Sequence, residues 1–223
     1  MIPLYDENRS GRRPYVTWGL ISLNVLVFLW EGSRGFNPHD FIEYGAIPLF
    51  IVHGLRLHTL LTSMFMHSNL FHIGGNMLYL YIFGDNVEDQ FGRLKYLLLY
   101  LLFGVVGGVA HSWIAWMVGG YGVKIPAVGA SGAISGVLGA YLVLFPNARI
   151  VTLVMFRYWG RIVRIPSSYY LGFWFLYQLL LGLVAPTSGV AFWAHIGGFV
   201  AGVLAALPFR GRVRRRTYWG YYY

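Results

Sequence analysis

The sequence contains no cysteine, and only 11% of its 223 residues carry a charge. The absence of cysteine excludes a disulfide framework, a thiolate nucleophile and any metal site with cysteine ligands. Soluble domains are about a quarter charged, so the low charge argues against an ordinary soluble protein. With 57% hydrophobic residues and a mean hydropathy of +0.56, the composition predicts a polytopic membrane protein.

Long stretches of the chain contain almost no charged residues. Between Tyr96 and Leu144, Lys124 is the only charged side chain. A helix needs roughly 20 apolar residues to cross a bilayer, and the apolar runs of this chain predict six spans, several of them shorter than a full crossing. The predicted spans are residues 15–30, 67–83, 94–118, 131–145, 169–185 and 190–207. We therefore expect an all-α fold, a bundle of six transmembrane helices.

The two ends of the chain differ from its apolar middle. Residues 1–14, MIPLYDENRSGRRP, contain acids and arginines and lack a small-residue cleavage site before the first apolar run. This favours a retained first span over a removable signal peptide. We expect a cytoplasmic N-terminal segment (1–14), a six-span domain (15–208) and a basic cytoplasmic tail (209–223). The N-terminal segment also lacks the composition of a transit peptide, so the plasma membrane of a prokaryote is the expected location.

The positive charges predict the orientation of the spans. All but three of the 17 Lys and Arg residues fall on the side that holds both termini, and the exceptions are Arg34, Arg56 and Lys124. Because cytoplasmic loops carry the excess of positive charge, both termini are expected to be cytoplasmic. The net charge of +9 is therefore attributed to a charge anchor at a membrane. The expected partner is the lipid bilayer and not nucleic acid, and no pattern predicts an oligomeric state.

Polar side chains recur at one depth of the predicted bundle. Spans two, four and six all run from the outside to the inside, so their N-terminal ends share one face of the membrane. Those ends hold His72 and Asn76 in span two, Ser131 in span four and His195 in span six. Polar residues inside a membrane are costly and mark functional sites. We therefore expect these four side chains to form a site that opens to the outer side.

Small residues beside these side chains predict close packing of two helices. The stripes are His195, Gly198 and Gly202 on span six, and Ser131, Ser135 and Gly139 on span four. Small residues at such spacing let two backbones approach closely, so Ser131 and His195 are expected within hydrogen-bond distance. Span four, with about 15 residues, is shorter than the roughly 30 Å hydrocarbon layer. Ser131 is therefore expected below the outer interface.

A serine and a histidine at that depth indicate hydrolysis. His195 would remove the proton of Ser131 as its hydroxyl attacks a carbonyl carbon, and would then protonate the leaving amine. Backbone N–H groups at the start of span four, those of Ala130 and Ser131, would stabilise the oxyanion together with His72 and Asn76. All eight Asp and Glu residues lie outside the predicted spans. The pattern therefore predicts a Ser-His dyad without an orienting acid.

Three motifs in order along the chain resemble those of the rhomboid intramembrane serine proteases. They are HSNLFHIGGN, which contains His72 and Asn76, GASG around Ser131, and AHIGGFVAG, which contains His195 and fits an AHxxGxxxG pattern. The resemblance covers essentially all six spans. It implies a Ser131–His195 dyad and an oxyanion hole formed by His72, Asn76 and the Ser131 backbone N–H. It also implies cleavage of single-span membrane proteins near their outer end, with no metal or cofactor.

Two positions depart from the family pattern. Some members have a tyrosine four residues after the nucleophile, where it packs on the catalytic histidine, and this chain has Ser135 there. We therefore expect looser support of the His195 ring without loss of activity. The Trp-Arg motif of the first outer loop is present only as Leu55-Arg56, which leaves the anchoring of that loop open.

Other interpretations of the polar residues stay open. A catalytically silent rhomboid-like binding protein or a small transporter would also have histidine and asparagine within its spans. The sequence has no HExxH motif and no pair of Asp residues within the spans, which argues against zinc and aspartyl intramembrane proteases. His67 and His111 are predicted to be structural, with His67 bonding loop backbone. Gln178 is predicted to link two helices by a hydrogen bond.

Overall fold

Helices dominate the structure, a computed structural model that describes residues 1–8, 10–156, 159–185 and 189–211. Six long helices form a bundle, and three short helices lie in the connection between the first two long ones. In chain order the described helices are α1 (Tyr15–Ser33), α2 (Pro38–Tyr44), α3 (Pro48–Val52), α4 (Thr59–Thr62), α5 (Leu70–Phe91), α6 (Arg93–Val118), α7 (Ser131–Leu144), α8 (Ser167–Val184) and α9 (Phe192–Ala206). The long helices begin and end within three residues of the predicted spans, except that α5 continues to Phe91.

Four of the described helices are long and apolar enough to cross a membrane. They are α1, α6, α8, and α9 together with the 3-10 turn that extends it to Phe209. Helix α7 is apolar but has only 14 residues. Helix α5 has 22 residues but carries Asp85, Glu88 and Asp89 near its C-terminal end. The predicted fold class, a helical polytopic membrane protein, is confirmed.

A three-stranded antiparallel sheet lies at one end of the bundle, and the sequence pattern did not predict it. Its strands are β1 (Ile2–Asp6), β2 (Arg149–Phe156) and β3 (Trp159–Pro166), with β2 in the middle. The segments RIVTLVMF and WGRIVRIP are rich in β-branched residues, which favour strands. Strand β1, however, comes from the N-terminal segment (1–14), for which the sequence pattern predicted no strand. We call the end with the sheet the inner end and the opposite end the outer end.

Parts of the predicted basic ends lie outside the described residues. These parts are Arg9 and the tail residues 212–223, and Arg157, a further basic residue assigned to the same side, also lies outside the described residues. The basic cytoplasmic tail therefore stays a prediction.

Helix α7 is the centre of the bundle, and glycines determine its distance from α9. Nearly all α7 residues are buried. A β-carbon on Gly198 would lie 2.0 Å from the carbonyl oxygen of Gly132, and one on Gly202 would lie 1.8 Å from the carbonyl oxygen of Gly136. Only glycine fits at these two positions of α9, so the two backbones are in direct contact. The predicted close packing is confirmed. The contact points on α7 are Gly132, Gly136 and Gly139, since a β-carbon on Gly139 would lie 2.1 Å from the carbonyl oxygen of Phe199.

The first outer loop holds the residues that precede α7. Residues 46 and 127 form an isolated antiparallel bridge between the two outer connections. Close by, the Gly129 N–H donates to the Ser63 carbonyl at 2.8 Å. The backbone that leads into α7 is therefore fixed from the outer end.

Arg56 anchors that first outer loop. Its guanidinium donates to the backbone carbonyl of Glu43 and lies 3.4 Å from the Glu43 carboxylate. The anchoring that the Leu55-Arg56 sequence left open is thus seen in the structure, because the arginine ties the middle of the loop to α2 without an adjacent tryptophan.

Asp6 connects the sheet to two helices at the inner end. Its carboxylate accepts hydrogen bonds from Tyr141 Oη of α7 and, at 3.0 Å, from Asn86 Nδ2 of α5. Burial raises the pKa of Asp6 from 3.8 to about 7, and the nearby Asp85 carboxylate acts in the same direction. The N-terminal strand, the inner end of α5 and the inner end of α7 therefore lie together.

Candidate active site

Ser131 and His195 face each other toward the outer end of the bundle. Ser131 is the first residue of α7, and His195 lies at the end of the first turn of α9. Ser131 Oγ is 2.8 Å from His195 Nε2, a hydrogen-bond distance for a hydroxyl donor and an imidazole acceptor. The contact follows from the close approach of the two helices, because Gly132 and Gly198 are their next contact point. The structure therefore brings these two predicted site residues together.

His72 and Asn76 project from α5 toward the loop that precedes Ser131. Asn69 caps α5 by accepting a hydrogen bond from the His72 backbone N–H at 2.9 Å, and the four-residue spacing puts both side chains on one helix face. A β-carbon on Gly129 would lie 2.6 Å from His72 Nε2 and 3.6 Å from Asn76 Nδ2. The two side chains therefore lie directly against the Gly129 backbone, whose φ of +122° favours glycine.

His67 holds the amide of Asn76. Its Nε2 atom is 2.9 Å from Asn76 Nδ2, and its Nδ1 atom is 3.3 Å from the carbonyl oxygen of Phe65. With Nδ1 as the donor to that carbonyl, Nε2 accepts from Asn76, which fixes the direction of the amide NH₂ group. The prediction that His67 bonds loop backbone is confirmed, but its bond to Asn76 was not predicted.

Glu31 supports His67 from α1. The His67 backbone N–H donates to both carboxylate oxygens of Glu31, at 3.2 and 3.1 Å, and Glu31 is only 1% exposed. The prediction that all acids lie outside the spans is wrong here, because α1 continues to Ser33 and takes Glu31 into the bundle. The acid nonetheless does not contact His195 in the structure; it reaches the site only through His67.

Gln178 and two aromatic rings surround the His195 ring. Gln178 Oε1 is 2.9 Å from His195 Nδ1, the ring nitrogen that does not face Ser131. The ring centroids of Trp174 and Phe192 lie 6.2 and 6.3 Å from that of the imidazole. The predicted interhelical hydrogen bond of Gln178 is confirmed, but the identity of its partner was missed. The available signal was that Gln178 is the only amide or charged side chain in span five.

Ser135 makes no hydrogen bond to the imidazole. Its hydroxyl donates to the carbonyl oxygen of Ser131 within α7, at 2.6 Å. The expectation that the His195 ring is more loosely supported than in members with the tyrosine stays a prediction. In this structure α8 contributes other contacts to the ring: the Gln178 amide oxygen lies within hydrogen-bond distance of Nδ1, and Trp174 makes an aromatic contact.

A cavity of about 970 Å³ opens beside these side chains. Ser131, His195, His72 and Asn76 all line it, and its volume is at the upper end of the range for ligand pockets. His111 also lines the cavity, and its buried Nδ1 has no hydrogen-bond partner within the described residues. In the same part of the chain, no group of three or more His, Asp and Glu residues could hold a metal ion. The arrangement can hold a peptide segment beside a nucleophile and a base.

A match to a known protein family shows the family of the chain. A family model described as a rhomboid domain matches residues 54–212, well over half of the chain. The chain belongs to the rhomboid family. The resemblance inferred from the three motifs is thereby confirmed.

Relatives of this rhomboid come from a plant, a bacterium and a yeast. The mitochondrial RHOMBOID-like protein 12 of Arabidopsis thaliana is 31% identical over 213 residues, which cover 89% of this chain and 60% of that protein. The rhomboid protease GluP of Bacillus subtilis is 30% identical over 210 residues, 92% of this chain and 37% of that protein. The mitochondrial Rhomboid protein 1 of Saccharomyces cerevisiae is 29% identical, over 85% of this chain and 51% of that protein. The chain thus spans about two fifths to three fifths of the length of these relatives.

Proposed function

We propose that this rhomboid is an intramembrane serine endopeptidase that cleaves single-span membrane proteins near the outer face of the membrane. The observation that carries the proposal is the 2.8 Å contact between Ser131 Oγ and His195 Nε2 beside a large cavity. Membership of the rhomboid family and the relative named as a rhomboid protease support protease activity. The proposed catalytic domain is residues 15–208.

Ser131 is the nucleophile and His195 the general base in this proposal. As Ser131 Oγ attacks the scissile carbonyl carbon, its proton passes to His195 Nε2, and a tetrahedral oxyanion forms. The C–N bond then breaks while His195 gives the proton to the leaving amine, which leaves an ester on Ser131. Water, deprotonated by His195 in the same way, hydrolyses the ester and restores both side chains. No step needs a metal or a cofactor.

Donors on two sides stabilise the proposed oxyanion. The first N–H groups of a helix lack intrahelical acceptors, so those of Ala130 and Ser131 at the start of α7 can bind it, aided by the positive end of the helix dipole. Asn76 donates from the opposite side through Nδ2. His72 donates from Nε2 when its Nδ1 accepts from the Ser68 hydroxyl, 3.3 Å away. Losing one such donor in serine proteases costs on the order of 10²–10³ in rate.

Both termini are cytoplasmic in the proposed topology, and the site opens to the outer side. Pairing of β1 with β2 supports it, because the N-terminal strand and the α7–α8 connection must then lie on one side of the membrane. An even number of crossings separates them, and α1, α5, α6 and α7 supply four. The positive charges are concentrated on that side, which makes it the cytoplasmic one.

This rhomboid is an integral membrane protein, and the plasma membrane of a prokaryote is its proposed location. The Bacillus subtilis relative, which matches 92% of this chain, supports that location. The relatives named as mitochondrial support a mitochondrial membrane as the alternative.

Cleavage of a model single-span substrate by the purified protein in liposomes tests the proposed function. The wild type is expected to yield two fragments, with the cut mapped by mass spectrometry near the outer end of the substrate helix. Ser131→Ala and His195→Ala are both expected to yield none. Ser131→Ala is expected to keep the wild-type melting temperature, whereas His195→Ala is expected to lower it because the buried Gln178 amide loses its partner. A fluorophosphonate probe is expected to label the wild type at Ser131 alone.

Other results would favour the alternatives. Full cleavage by Ser131→Ala would overturn the assignment of the nucleophile. A folded wild type that neither cleaves nor reacts with the probe would indicate a catalytically silent rhomboid-like binding protein. Solute flux that survives Ser131→Ala would indicate a small transporter.

A further inference from the structure

One polar side chain of α8 reaches the catalytic pair of the proposed protease. Gln178 is 8% exposed and lies on a helix whose other residues from 169 to 185 carry no amide, acid or base. Burying a primary amide in such surroundings is unfavourable unless it is hydrogen-bonded. Its Oε1 atom lies 2.9 Å from His195 Nδ1, so this contact compensates for the burial.

The amide oxygen determines where the His195 proton sits. An amide oxygen can only accept, so Nδ1 carries the hydrogen and Nε2 is left with a free lone pair. Nε2 is the atom 2.8 Å from Ser131 Oγ, and a general base needs an unprotonated nitrogen there. The opposite tautomer would put a hydrogen between Nε2 and the serine and leave Gln178 without a donor. One hydrogen bond therefore fixes both the tautomer and the rotation of the ring.

We propose that Gln178 is the positioning residue of the His195 base, which it holds in the tautomer that can deprotonate Ser131. The proposal rests on the protease function proposed above. Gln178 does not touch the reacting atoms, and it acts only through His195. In this structure a neutral amide thus occupies the position in which serine proteases of the triad type have a carboxylate.

The surroundings explain why a neutral group suits this position. The titratable groups close enough to act on His195 electrostatically are His72 of α5 and His111 of α6, both on the cavity wall. Among the described residues no Lys or Arg lines that cavity, so a buried carboxylate would have no cation to pair with while the imidazole is neutral. Desolvation of an unpaired carboxylate is strongly unfavourable. Glutamine supplies the acceptor without that cost.

Trp174 reinforces the same contact from one turn away. Trp174 and Gln178 are four residues apart, so they share one face of α8, and the indole ring lies 6.2 Å from the imidazole. The opposite face, with Phe173, Leu176 and Leu180, is exposed and faces lipid. The inward face of α8 therefore holds the base, and its outward face carries no comparable polar group.

Three variants of the 223-residue chain in liposomes test the proposal. Gln178→Met keeps the length of the side chain but removes the acceptor, and is expected to lower kcat roughly 10- to 100-fold with little change in KM. Gln178→Glu restores an acceptor and is expected to recover most of that loss at high pH. Its carboxylate also stabilises the imidazolium, so the acid limb of its pH–rate profile is expected to move up by about 1 pH unit or more. Gln90→Met, at the only other glutamine of the chain, is the matched control and is expected to leave activity unchanged.

Two results would overturn the proposal. One is a Gln178→Met variant with the kcat and pH profile of the wild type. The other is a Gln178→Met variant whose loss of activity matches its loss of thermal stability and is not recovered by Gln178→Glu, since Gln178 would then only hold α8 to α9. Failure of the proposed protease function gives a different result. In that case either the wild type does not cleave the substrate, or the Ser131→Ala variant does cleave it.

Discussion

Gly202 and Gly136 touch backbone to backbone, closer to the inner end of the bundle than the proposed catalytic pair. A β-carbon on Gly202 would lie 1.8 Å from the Gly136 carbonyl oxygen, far inside van der Waals contact. This contact lies between one and two turns further along the helices than Ser131 and His195. It therefore controls the distance between two side chains that it does not touch.

Gly202→Ala is expected to separate α7 from α9 and to abolish cleavage. Overpacking of this kind costs about 1–3 kcal/mol of stability, so the melting temperature is also expected to fall. The measurements are substrate cleavage and thermal unfolding in detergent. Gly19→Ala is the control, because Gly19 of α1 has nothing within 4 Å of an added β-carbon and alanine is the better helix former. Wild-type cleavage by Gly202→Ala would contradict the packing argument.

Gly129→Ala is expected to damage the proposed oxyanion hole directly. The added β-carbon would lie 2.6 Å from His72 Nε2, at a φ of +122°, so the loop or the imidazole must move. We expect kcat to fall on the order of 10²-fold, as for loss of an oxyanion donor, with a smaller effect on KM. Gly122→Ala is the control, since Gly122 lines the same cavity with open space around it. A change in KM alone would count against an oxyanion role for this loop.

His67→Leu is expected to act through Asn76. Without the Nε2 acceptor, 2.9 Å from Asn76 Nδ2, the amide is free to turn its oxygen toward the oxyanion. Cleavage by His67→Leu is expected to fall about 10-fold, and by Asn76→Ala on the order of 10²-fold. The double variant is expected to be no slower than Asn76→Ala alone, because residues that act as a unit are not additive. Fully additive losses would show that the two side chains act independently.

Asp6 is expected to make stability depend on pH. Burial raises its folded-state pKa from 3.8 to about 7, so the folded protein keeps a proton that the unfolded chain releases. The stabilisation is complete below about pH 4 and is lost as pH rises toward about 7. The melting temperature of the wild type is expected to fall between pH 4 and 8, and that of Asp6→Asn to fall less.

The neighbouring carboxylate provides the control for that experiment. Glu7 lies at the surface beside Arg164, with Oε1 2.6 Å from Arg164 Nε. Glu7→Gln is expected to leave the fall of melting temperature between pH 4 and 8 nearly unchanged. If the melting temperatures of the wild type and Asp6→Asn fall equally between pH 4 and 8, the Asp6 carboxyl is not the group that causes the pH dependence.

The residues of the candidate site could be predicted from the sequence for three reasons: their side chains are polar, their motifs follow one another in a set order, and they fall at one depth of the predicted bundle. Ser131, His195, His72 and Asn76 are polar groups inside apolar runs, and the direction of each span brings them to one level. The glycines at the contact between α7 and α9 could also be predicted, because small residues recur along one face of each helix. Most helix ends followed from where the apolar runs stop.

The contacts that support the candidate site could not be predicted. Each of them joins segments that are distant in the sequence, and no local sequence pattern indicates the pairing. Gln178 resembles any polar link between helices until its partner is known. Glu31 was excluded from the bundle because an acid next to an apolar run resembles its end. Strand β1 has no partner nearby in the sequence, so the sheet could not be recognised from the N-terminal residues alone.

The pairing of β1 with β2 also has a consequence for biosynthesis. Ile2 pairs with Leu153, so strand β1 leaves the ribosome before its neighbour β2, and the two cannot pair until α1, α5, α6 and α7 have all been synthesised. Contacts between such distant segments form late because the intervening chain must first be ordered. The sheet can therefore form only after these helices have been synthesised, and the Asp6 carboxyl can bond Tyr141 only after most of the helix that begins with Ser131 has been made.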